Sequence, residues 1–126
     1  MNQDFIYMRE TQRSFQEAKD RVEEMAVQEN FRVLHVHDVQ ATLGEKGFSI
    51  EPTVILEVCS ALLAFKVLGL DKRAALLIPC RIVVEERGGE VTVATLLPQP
   101  LEGNPTMETL AKQMGDKLKH IVDQSV

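Results

Sequence analysis

Residues 75–97 read ALLIPCRIVVEERGGEVTVATLL. Two β-rich runs, ALLIPCRIVVEE and EVTVATLL, flank Arg87-Gly88-Gly89, and paired glycines between such runs signal a hairpin. Pairing Val84 with Val93 sorts the side chains. Cys80, Ile82, Val84, Val91, Val93 and Thr95 share one face, which is apolar enough to lie on a core. Arg81, Val83, Glu85, Thr92, Ala94 and Leu96 share the other, which is only half apolar. Pro79 has no N–H for a ladder, so the first strand bulges at it or begins its regular pairing there.

Upstream, residues 5–11 (FIYMRET) read as a strand in which Ile6 and Met8 alternate against Phe5 and Tyr7. Ser14 and Glu17 form a capping box that opens a helix. Phe15, Ala18, Val22, Met25 and Ala26 make its apolar face, and Asn30 ends it in a left-handed conformation. Residues 31–39 (FRVLHVHDV) predict a second strand. Asp38 caps a short helical turn through VQATLGEK, closed by Gly47. Residues 53–59 (TVILEVC) predict a third strand behind Pro52. Ser60 then caps a helix through ALLAFKVL, ended by Gly69. Downstream of the hairpin and the loop PQPLEGNP, Asn104 caps a last helix with Pro105 at its first position. Met107, Leu110, Ala111, Met114, Leu118, Ile121 and Val122 form its stripe. The order is β-α-β-(short α)-β-α-β-β-α. It predicts one α+β domain over residues 1–126, with a mainly antiparallel sheet and two long helices on one face.

The bulk properties bound the function. A chain of 126 residues with 44% hydrophobic and 26% charged residues suits a soluble globular protein. Its net charge of −5, from 14 basic and 19 acidic residues, disfavours nucleic acid and anionic membrane surfaces as partners. The N-terminal residues MNQDFIYMRETQRS lack the pattern of a secretory signal, and two cysteines make no disulfide framework, so a cytoplasmic protein with reduced thiols is expected. No P-loop, G-x-G-x-x-G or G-x-S-x-G is present, so no nucleotide cofactor and no conventional hydrolase chemistry is expected.

Three phrases carry a family resemblance: NFRVLHVHDVQATLGEKG (30–47), ILEVCSALLAFKVLGLD (55–71) and LLIPCRIVVEERGGEVTVATLLP (76–98). In order and spacing they resemble the family catalogued as domain of unknown function 302, over about Phe15 to Pro98. The DVQATL segment, the EVC before a helix and the L-x-P-C that opens a long strand are its most specific parts. The resemblance implies a curved antiparallel sheet with two helices on one side, of the TATA-box-binding-protein type. It also implies a homodimer and brings no established activity. The chain departs from the family pattern after Cys59, where Ser60-Ala61 replaces the usual Asn-Pro.

Candidate chemistry is sparse. His35 and His37, two residues apart on a strand, point to one side about 7 Å apart and are candidate metal ligands. Their face is read as the apolar one of Phe31, Val33 and Val39, and no third ligand is evident, so no native metal is expected. Cys59 precedes a helix start, where the dipole favours thiolate, whereas Cys80 shares a core face with Ile82 and Val84. If the strands bearing them pair, the two sulfurs approach, which makes a thiol redox or soft-metal protein the alternative function. The favoured one is a homodimeric binding or sensing module, not a conventional enzyme. Its half-apolar sheet face, with Arg81 and Leu96, would hold a small molecule or the partner subunit.

Overall fold

A computed structural model describes residues 3–99 and 101–126. Met1 and Asn2 of the N-terminal reading, and Pro100 in the loop PQPLEGNP, lie outside the described residues. The elements follow the predicted order: β1 (Ile6–Thr11), α1 (Phe15–Gln28), β2 (Arg32–Asp38), α2 (Val39–Gly44), β3 (Thr53–Cys59), α3 (Ala61–Leu70), β4 (Cys80–Arg87), β5 (Glu90–Leu96) and α4 (Pro105–Ser125). Short 3₁₀ turns add Gln3–Phe5 and Lys72–Leu76. The strands form one antiparallel sheet in the order β1-β5-β4-β3-β2, giving an α+β fold.

The hairpin sets the register. Val84 pairs with Val93, and the turn is made by Gly88 and Gly89, both at positive φ (58° and 85°). That geometry suits a two-residue loop between twisted strands and costs any other residue type strain. The face of Cys80, Ile82, Val84, Val91, Val93 and Thr95 is buried throughout. Val54, Leu56 and Val58 extend it onto β3, whose burial alternates strictly. α1 and α4 pack on this face through Ala18, Val22, Met25 and Ala26 and through the predicted stripe of α4, from Met107 to Val122.

The caps explain why the helices start where they do. The Glu17 N–H donates to Ser14 Oγ (3.1 Å), that of Ala41 to Asp38 Oδ1 (2.9 Å), and that of Leu63 to Ser60 Oγ (3.3 Å). The Thr106 N–H donates to Asn104 Oδ1 (2.9 Å). Asn30 lies at φ 63°, the left-handed position expected of it.

Two boundaries differ from the sequence reading. Gly69 does not end α3, which runs on to Leu70. Asp71 is the stop: its carboxylate accepts from the Arg73 N–H (2.9 Å) and starts the 3₁₀ turn Lys72–Leu76. Residues 75–79 are therefore not strand, and β4 begins only at Cys80, directly after Pro79.

The second correction concerns β2. Val33 pairs with Val58 and His35 with Glu57, so Leu34 is an extra residue in a β-bulge. The bulge resets the alternation. Val33 and Val36 both pack on the core, whereas His35 and His37 are exposed on the opposite, open face. Val39 is not on the strand at all; it begins α2.

Candidate functional site

The open face of the sheet has no covering helix, and its residues can be read row by row. One row runs Met8–Ala94–Val83–Ile55–His37 across all five strands. On one side of it lie Ile6 paired with Leu96, then Arg81 paired with Glu57, then Glu57 with His35. On the other lie Glu10, Thr92, Glu85 and Thr53. The β1–β5–β4 half is thus mainly apolar, and the β3–β2 corner is polar.

At the Leu96 end the face deepens into a groove of about 430 Å³. Its floor is Val83, Ala94 and Leu96. One wall is Leu76, Leu77 and Pro79, and the other is Phe5, Ile6, Leu97 and Pro98. The Leu97 N–H donates to the Phe5 carbonyl (2.7 Å), which joins the two ends of one wall, and the Thr95 hydroxyl donates to the Arg81 carbonyl (2.7 Å), which ties β5 to β4. Arg81 and Leu96, the two ligand-binding candidates, both line this groove. Arg81 is the only charged residue among those described that line it. Sequence reasoning missed the wall. The β-rich run extends over Leu76 and Leu77 in the sequence, whereas their place on the wall follows from the 3₁₀ turn that Asp71 initiates.

The histidine pair meets a carboxylate. His37 Nε2 lies 2.5 Å from Glu57 Oε1, and the rings of His35 and His37 stand edge to face with centroids 4.3 Å apart. The His37 contact, aided by the nearby Arg81 charge, holds the Glu57 carboxyl below the usual range. The expected apolar surroundings of these histidines are overturned, because the bulge at Leu34 turns them toward Ile55 and Glu57. Among the described residues no group of three or more His, Cys, Asp or Glu side chains is arranged to hold a metal ion.

β3 and β4 do pair, setting Cys80 opposite Val58, and both cysteines border one small void with Phe31, Leu63 and Met114. Both are free thiols. The expectation that the α3 dipole favours a Cys59 thiolate does not hold, since burial pushes the Cys59 thiol up. Burial, with the Cys59 sulfur adding to it, pushes Cys80 up to about 11. Both shifts run against nucleophilic or redox chemistry at neutral pH.

No helix among the described residues is long and apolar enough to cross a membrane. No curated protein matches the chain. A solved structure of an uncharacterized conserved protein DUF302 from Bacillus stearothermophilus is similar to it, with 29% identity and a TM-score of 0.87, covering 97% of this chain and 98% of that one. The model of DUF302, a domain of unknown function, matches residues 7–125. With the three sequence phrases seated on β2–α2, β3–α3 and the β4–β5 hairpin, the chain belongs to the DUF302 family.

Proposed function

We propose that this protein is a cytoplasmic, homodimeric binding or sensing module whose working surface is the open face of the sheet. One observation carries the reading: the sheet leaves the row Met8–Ala94–Val83–Ile55 uncovered, and that row is continuous with the groove beside Leu96. Contiguous apolar surface of this kind marks association or ligand sites more often than idle exterior. The two free thiols support a reducing compartment. Thiol redox chemistry gains nothing from two cysteines held protonated.

Light scattering and native mass spectrometry test the assembly together. The expected result is twice the 14.1 kDa chain mass at micromolar concentration. Ile55→Glu, placed on the open face outside the groove, shifts it to the single-chain mass with the circular dichroism spectrum unchanged. A wild-type chain that stays at 14.1 kDa throughout that range sinks the dimer.

A further inference from the structure

We infer that the groove beside Arg81 binds a small amphiphilic anion, its apolar body lying on Ile6 and Leu96 and a single carboxylate-class headgroup at the Arg81 guanidinium. The inference rests on the open face being a binding surface and names the ligand that surface would take.

The lining comes first. The groove is apolar on its floor and both walls, and Arg81 supplies the only charge among its described residues. Its volume of about 430 Å³ falls within the ~300–1,000 Å³ typical of small-molecule sites. Leu76 stands 87% exposed on one wall, a large apolar side chain that a seated ligand would cover.

The second observation is electrostatic. Arg81 has an acidic cross-strand partner, Glu57, but the two form no ion pair, because the Glu57 carboxylate is held 2.5 Å from His37 Nε2. His37 thereby engages the carboxylate that would otherwise be the natural counter-ion of Arg81. The guanidinium keeps its donors for an incoming acceptor, and a planar carboxylate matches its fork. The same geometry excludes other ligands. An alkylammonium head would be repelled by Arg81. A polyanion would find one guanidinium in the groove and, on the same face, the carboxylates of Glu57 and Glu85.

Titration calorimetry on the full chain tests this with three probes below their micellar concentrations: decanoate, decanol and decylammonium. Decanoate is expected to bind once per chain, about tenfold or more tighter than decanol, as for a hydrogen-bonded charge pair, with decylammonium weakest. Arg81→Gln should make decanoate and decanol equal, Arg81→Lys should retain part of the preference, and Leu96→Asp should abolish decanoate binding, all with unchanged circular dichroism. Equal affinities in the wild type, or a preference that survives Arg81→Gln, overturns the anion assignment. Failure of all three probes with a dimer still present overturns the ligand proposal alone. Failure of all three with a monomer overturns the binding-surface reading as well.

Discussion

Tyr7 and Asp123 show how one contact ties sequence ends together. The Tyr7 hydroxyl donates to Asp123 Oδ1 at 2.6 Å, joining β1 to α4 across 116 residues, and Arg9 adds a 3.1 Å ion pair. The hydrogen bond raises the Tyr7 pKa and lowers that of Asp123. A lowered carboxyl contributes stability above its unfolded pKa and loses it as pH falls through the folded value. The raised tyrosine contributes below its ordinary value of 10.0 and loses it as pH rises further. Tyr7→Phe should therefore cost about 0.5–1.5 kcal/mol at neutral pH by urea denaturation, and the gap from wild type should narrow in acid. An equal gap at pH 7 and at pH 2–3 would mean the contact is packing only. The thiols give a second residue-scale test. Cys59 is half-buried and Cys80 only 7% exposed, so timed alkylation at pH 8 should label Cys59 first and Cys80 only as the chain opens. Sequence placed Cys80 correctly, because strand alternation decides its face. It misjudged Cys59, because the cap position is local whereas the desolvation that raises its pKa comes from tertiary packing.

Helix starts were legible because each depends on one side chain and a backbone amide two or three residues on, as with Ser14, Asp38, Ser60 and Asn104. The hairpin register was legible because two glycines and strict alternation admit a single pairing. β2 was not. A bulge inserts a residue without changing composition, so counting by twos from Phe31 carries His35 and His37 to the wrong face. This makes a prediction about deletions. Removing Leu34, the extra residue and itself exposed, leaves Val33, His35, Val36 and His37 in regular alternation with both valines inward. Its melting temperature should stay near that of the wild type, whereas deleting Val36 removes a core contact and should lower it clearly. A Leu34 deletion as damaging as the Val36 deletion would show that the bulge geometry itself is required. The two sides of the sheet and helices invite a matching contrast. Leu56 is fully buried in β3, and Leu56→Ala should cost about 2–5 kcal/mol. Phe65 stands 78% exposed on α3, and Phe65→Ser should change stability by no more than about 0.5 kcal/mol.

At the scale of the molecule, an uncovered antiparallel sheet backed by two helices invites comparison with sheets that ride on DNA, the fold type implied by the family resemblance. Charge weighs against it. Binding to a duplex draws much of its free energy from counterions released as several cations meet phosphates. The whole chain carries −5, and its open face spends its charges locally. Arg87 is paired with Glu85 at 2.9 Å, His37 is engaged by Glu57, and Glu10 lies in the same row as Glu85. Arg81 beside the groove and Arg32 opposite Cys59 on β2 remain to meet an anion, which is far short of the row of cations a phosphate backbone requires. Fold likeness does not supply the missing charge. Fluorescence anisotropy with a labelled 20-base-pair duplex at about 150 mM salt should show no binding up to tens of micromolar protein, while decanoate binding persists under the same conditions. Micromolar binding to the duplex that weakens steeply with added salt would overturn this and reopen nucleic acid as the partner.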